Sequence, residues 1–263
     1  MKHTDFIDPY LLGLGAEIGS SDNPIEGIKA IRVDKFREYA GKPCNADYPG
    51  DAAALPFFDQ SLDFVASSHV LEHLANPVSA LIEWQRVLRP EGYVYLVIPD
   101  RRYTFDRGRE LTSPQHMIDD YIAETDDTDS THIDDFVFGI DWKEITPGLT
   151  EKERTIQQKT NAEYHHSQSS QGIEINIHFH VFEPENFVGL LDLASQNESL
   201  NLNLKLVRIV EQFPAPDLNG FLAILQKTSA WSDRALEKFH KLKRYIYSAQ
   251  NYPIEQSRLG TFK

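Results

Sequence analysis

The chain has 263 residues, 41% of them hydrophobic, with three Trp, eleven Tyr and fifteen Phe, enough to bury a sizeable core in one large domain or one domain with an insertion. Its formal net charge of −14 disfavours partners held through a phosphate backbone, which need Lys and Arg, so no nucleic acid is expected as substrate. A single Cys, Cys44, excludes an internal disulfide, and no apolar run has signal-peptide or membrane-spanning length; the expectation is a cytoplasmic protein with no membrane span.

Residues 1–12 read as a lead-in. Residues 14–18 form the first expected strand, which runs into EIGSSDNP; a turn after a first parallel strand lies where a sheet opens to nucleotides, and Gly19 lets the backbone approach a ligand closely. Residues 29–33 form a second strand that ends at Asp34, whose carboxylate can accept both hydroxyls of a ribose in either a nicotinamide or a methyl-transfer enzyme. Residues 43–56 hold Gly50, Asp51 and Ala52, and Cys44 reads as structural.

Residues 55–99 are the most informative stretch: LPFFDQSLDFVASSHVLEHLANPVSALIEWQRVLRPEGYVYLVIP. Residues 62–66 form a strand that ends in Ser67 and Ser68. Asn76 can cap a helix, Pro77 suits its first turn, and Val78, Leu81, Ile82, Trp84 and Leu88 recur at helical spacing. Arg86 and Arg89 suit the last turn, and Pro90 and Gly92 stop the helix. Residues 93–98 are nearly all apolar, as a strand buried on both faces requires. The unit is strand, helix, strand with a right-handed crossover.

This stretch resembles the core of class I S-adenosylmethionine (SAM)-dependent methyltransferases, in the small-molecule, type 11-like branch. The likeness is tight over 55–99 and looser over 10–100 and 180–227, with LDF in place of an FD pair and Glu91 in place of a Gly. It implies an α/β, doubly wound, Rossmann-like seven-stranded sheet with SAM as cofactor. In that family Glu17, Gly19 and Ser20 belong to the E/D-x-G-x-G loop around the methionine part, although Ser21 stands where a second Gly is usual. Asp34 matches the ribose position and Asp51 with Ala52 the adenine position, while Ser68 and His69 neighbour SAM through their backbone. The Glu72–His73 pair of the LEH suggests acid/base or metal chemistry, with the orientation of loops at the pocket edge as the expected role.

After the fifth strand, Arg101 and Arg102 can bind an anionic substrate group or salt-bridge to nearby carboxylates, with Tyr103 beside them. The sixth strand does not follow. Residues 104–183 form an insertion, the expected substrate lid, with polar and weakly patterned runs at 124–135 and 161–172. It holds six of the ten histidines. In NIHFHVF, strand alternation puts Asn176, His178 and His180 on one face and Ile177, Phe179 and Val181 on the other. His178 or His180 can supply a general base near neutral pH, with His116 lining the substrate pocket. A metal bound by these histidines with His116 or an Asp is the alternative; no metal ligands are assigned.

Glu183 and Pro184 open a further helix, and residues 204–210 and 220–225 form a closing antiparallel hairpin. That hairpin, with no G-x-G-x-x-G, favours SAM over NAD. Residues 231–249 form an added helix whose expected role is packing, although covering the site or joining two subunits of a homodimer is open. The organisation is therefore a core over 1–103, a lid over 104–183, the remaining core over 184–227 and a C-terminal helical extension over 228–263. The expected activity is methyl transfer from SAM to a small polar, possibly anionic acceptor, a hydroxyl of a sugar or glycan precursor. The alternatives are an amine or amide acceptor and a non-catalytic SAM-fold partner subunit.

Overall fold

The computed structural model describes residues 1–39 and 41–228; the expected helix at 231–249 lies outside them. The strands are β1 (Gly15–Ile18), β2 (Ile31–Asp34), β3 (Glu38–Tyr39), β4 (Lys42–Pro43), β5 (Tyr48–Pro49), β6 (Leu62–Ser68), β7 (Leu88–Pro99), β8 (Leu204–Phe213) and β9 (Gly220–Lys227). Seven of them form one sheet in the order β5-β2-β1-β6-β7-β9-β8, while β3 and β4 make a separate hairpin. The pairs β1–β2, β1–β6, β2–β5 and β6–β7 are parallel; β9 runs antiparallel to both β7 and β8. The expected closing hairpin is therefore present, with β9 inserted beside β7.

Alternation splits the apolar strands between two layers, as a sheet buried on both faces demands. Val94, Leu96 and Ile98 of β7 pack with Trp84, Phe187 and Leu190 in the larger layer. Tyr95 and Val97 face the other way, onto Phe6, Leu11 and Ile25. The lead-in segment is thus part of the core: Phe6 and Leu11 cover this face of the sheet.

Helix α1 (Ile7–Tyr10) is a single turn in this segment. Helix α2 (Pro77–Val87) starts where expected, with Asn76 Oδ1 accepting the Ser79 amide at 3.0 Å, a cap that stabilises by about 1 kcal/mol. It ends earlier than expected: Arg89 belongs to β7, where it pairs with Asp63 at 2.6 Å. Arg86 keeps the last turn and bridges Glu83 and Asp59.

The insertion contains α3 (Pro114–Ile122), α4 (Ile133–Gly139), α5 (Trp142–Ile145) and α6 (Glu151–Ser170). Here the sequence reading needs two corrections. The polar run from 161 is largely helical, the end of α6, which Thr150 and Glu153 start with a reciprocal capping box. NIHFHVF is irregular, bends at Ile177 and His180, and pairs with no strand. Ile177 and Phe179 are buried instead among Ile133, Val137 and Trp142. Helix α7 (Pro184–Gln196) then returns the chain to the sheet, with Phe187, Leu190, Leu191 and Ala194 buried. No helix among the described residues is long and apolar enough to cross a membrane.

Candidate active site

A cavity of about 150 Å³ opens at the carboxyl ends of β1, β2 and β6. Gly19, Ser21, Asp34, Asp51, Ala52 and His69 line it, as do Phe36, Tyr39 and His73. Gly19 has φ +69°, and a Cβ there would lie 2.4 Å from Val70 Cγ2, so the turn requires glycine. Ser21, where a second Gly is usual, takes φ +48°: the loop keeps its left-handed shape without the glycine. Asp34 is buried and accepts the Ser21 and Phe36 amides, at 3.0 and 2.9 Å, through different oxygens. Each oxygen keeps a free lone pair for a diol. Asp51 Oδ1 accepts the Ala53 amide at 2.8 Å, and Ala52 lends its carbonyl to Trp84 Nε1 at 2.9 Å.

Lys35 ties this rim to the insertion. Its ammonium lies 3.0 Å from Asp51, 2.8 Å from Asp127 and 2.9 Å from Glu174. Burial opposes the charge, but the three carboxylates outweigh it and raise the pKa above the usual lysine range. A second cavity of about 600 Å³ shares Lys35, Asp51, Leu74, Asp127 and Glu174 with the first and extends along the insertion.

Two histidine clusters flank the site. In the first, His178 Nδ1 meets Asp106 Oδ2 at 2.6 Å, and Asp106 also binds the buried Arg109 at 2.8 Å. Burial would raise the Asp106 pKa, but His178 and Arg109 hold it below the usual value. The carboxylate fixes the Nδ1–H tautomer of His178 and leaves Nε2 as an acceptor. The His178 ring packs edge-on to His73, centroids 4.6 Å apart, and His73 lines the cavity. Glu72 is fully buried with neither carboxylate oxygen hydrogen-bonded, and burial pushes its pKa up to about 7. Burial pushes His73 down to about 3 and His69 to about 4. In the second cluster, His180 joins His116, Asp120 and His132.

The remaining expected residues fall as follows. Glu17, Ser20 and Ser68 do not line the cavity; Glu17 is buried and takes the Ile25 amide at 2.7 Å, which closes the loop from behind. Arg101 binds Glu183 and the Arg109 carbonyl, both at 2.5 Å. Arg102 grips Asp100 through two nitrogens and reaches Glu211 at 3.1 Å. Both guanidinium groups thus serve as salt bridges, and neither they nor Tyr103 line either cavity. The common face expected for His178 and His180 does not form: the unpaired segment sends them into separate clusters. Sequence reading passed over Lys35, Phe36, Tyr39 and Asp106. Only Lys35, directly after Asp34, had a positional signal.

The sheet order with antiparallel β9 and the carboxylate at the tip of β2 are those of the class I methyltransferase fold. Residues 28–96 match the family of the methyltransferase domain. A stretch of 61 residues is 44% identical to a protein of Mycolicibacterium smegmatis named "Probable S-adenosylmethionine-dependent methyltransferase", covering 23% of each chain. Another of 45 residues is 49% identical to an uncharacterized methyltransferase of Schizosaccharomyces pombe, covering 17% of this chain and 16% of the relative. A SAM-dependent methyltransferase of Methanosarcina mazei resembles 83% of this chain over 95% of its own, at 18% identity and a TM-score of 0.42. The matched stretch of the sequence and the sheet order support a class I SAM-dependent methyltransferase with SAM as cofactor. The sequence matches span less than a quarter of either curated relative named here.

Proposed function

We propose that the protein transfers a methyl group from SAM to a hydroxyl of a small polar molecule, with a sugar or glycan precursor as the acceptor class. The observation that carries the reading is the cavity whose wall offers the Asp34 carboxylate, with a free lone pair on each oxygen, beside Gly19 and Asp51. That donor set fits SAM: Asp34 would take the ribose diol, Asp51 the adenine amino group, and the Gly19 turn the methionine end. When bound, SAM supplies an electrophilic methyl group on a sulfonium. The chain's own task is alignment, exclusion of water and removal of one proton. His178, oriented by Asp106, is the base that takes the proton of the acceptor hydroxyl at Nε2. His180 is set aside as a base, because it is fully buried and engaged in the second cluster.

The test is calorimetric titration of SAM, and separately NAD, into the full chain and into Asp34→Asn. The expected result is SAM binding that the variant weakens by roughly 10-fold or more, the loss of a charge-assisted hydrogen bond pair, with no binding of NAD. Absence of SAM binding to folded, ligand-free protein would overturn the reading in favour of a non-catalytic partner subunit. A screen of sugar and amine acceptors with labelled SAM then distinguishes oxygen from nitrogen transfer.

A further inference from the structure

The second histidine cluster has no task in methyl transfer. His116 and Asp120 stand one turn apart on α3, His132 precedes α4, and His180 comes from the irregular segment before α7. One ligand atom from each lies within 4.8 Å of all the others. Three imidazole nitrogens converge on Asp120 Oδ2: His116 Nε2 at 3.3 Å, His132 Nε2 at 3.6 Å and His180 Nε2 at 3.7 Å. Tetrahedral zinc with bonds of about 2.0–2.2 Å sets its ligand atoms roughly 3.3–3.6 Å apart. The His116 and His132 Nε2 atoms are closer, at 2.9 Å, but the half-exposed His116 has room to rotate.

Two further observations point to a ligand. Asp120 Oδ2 is buried and has no hydrogen-bond partner, an expensive state for a carboxylate oxygen in protein. The outer partners are also arranged as a metal site needs. Thr125 Oγ1 donates to Asp120 Oδ1 at 3.1 Å, leaving Oδ2 free. His132 Nδ1 meets Thr131 Oγ1 at 3.0 Å, and that hydroxyl also bonds Asp129. With the hydroxyl donating to Asp129, Thr131 can only accept from His132, so Nε2 is left unprotonated toward the cluster. His180 Nε2 also lies 3.1 Å from the Ala75 carbonyl, a contact that ligation would replace.

We propose that His116, Asp120, His132 and His180 bind a zinc ion. The ion is structural: four protein ligands complete a tetrahedron, and none of them lines either cavity. It ties α3, the start of α4 and the segment carrying His178 to one point, and so fixes the insertion next to the cavity. The inference stands independently of the acceptor and of methyl transfer.

The test is elemental analysis and zinc-edge X-ray absorption of the full-length protein, purified without chelator from zinc-supplemented cells. The expected result is one zinc per chain with three imidazoles and one carboxylate, and a melting temperature that falls when the zinc is chelated. His132→Asn should lose the zinc, and Thr131→Val should weaken it by roughly 10-fold, as loss of an outer partner does. His178→Asn should keep it. No bound metal, iron or manganese in its place, or zinc that survives His132→Asn but not His178→Asn would each overturn the assignment. If His132→Asn fails to fold, the ligand count on the unaltered protein decides alone.

Discussion

His178→Asn is expected to lower kcat for a hydroxyl acceptor by roughly 10²–10⁴-fold, the span that a positioned general base contributes. The Kd for SAM should stay within about twofold, because His178 does not line the cofactor cavity and meets it only through the His73 ring. The reasoning starts at Asp106. Its carboxylate is held ionised by Arg109, whose side chain is itself buried, so the negative charge faces His178 permanently. A carboxylate at 2.6 Å from Nδ1 orients the ring and stabilises the imidazolium that forms when Nε2 takes a proton. Phe105 and Phe136 pack around the ring and restrict its other rotamers. Asn can still hydrogen-bond near Asp106 but cannot take the proton. The measurement is steady-state transfer of labelled methyl to the best acceptor of the screen, with SAM binding followed in parallel. Partial rescue of His178→Asn by added imidazole would separate a missing base from a displaced one. An unchanged kcat would remove His178 from the chemistry and favour an amine acceptor, which needs only to be held unprotonated.

The core could be read from the sequence because its signals are local. Asn76 and Pro77 cap and start α2 within one turn, and the alternation of β7 sorts its own side chains into two layers. Asp34 likewise needed only its place at a strand end. What failed in the insertion was information that is not local. The alternation in NIHFHVF is real, and Ile177 and Phe179 are buried as a strand face would be, but the segment joins no sheet and packs against the insertion's own helices. Without a ladder to fix the pleat, His178 and His180 follow different carboxylates, Asp106 and Asp120. Arg101 and Arg102 lie at the active edge of the sheet, yet Glu183 and Glu211 reach them from more than eighty residues away. No spacing rule anticipates such partners. The helix α6 is different: Thr150 and Glu153 form a capping box that was legible, and the polarity of the run concealed it.

The buried Glu72 and the half-buried His73 beside it should make stability depend on pH in opposite directions. Glu72 has a folded pKa of about 7 against an ordinary 4.5. A raised carboxyl pKa favours the folded state fully below pH 4.5, and that contribution is lost as pH rises through 7. Glu72→Gln removes the titration, so at pH 8 the variant should be more stable than the parent, by up to about 3 kcal/mol. His73 has a folded pKa of about 3 against 6.5. Its contribution is present above pH 6.5 and is lost as pH falls toward 3. At pH 5 that loss amounts to about 2 kcal/mol, so His73→Gln should narrow the stability gap between pH 7 and pH 5 by this amount. The cause is shared: burial disfavours charge on both groups and outweighs the charges and hydrogen bonds that oppose it. The two are not an ion pair, since the nearest oxygen–nitrogen approach is 3.9 Å and both groups are driven neutral. Urea unfolding of the three proteins at pH 5, 7 and 8 measures both limbs. Equal pH profiles for parent and Glu72→Gln would mean that Glu72 is ionised and solvated in the folded protein. The dry histidine-lined wall beside the cavity would then have to be given up, and with it the low-polarity setting in which His178 is asked to act as a base.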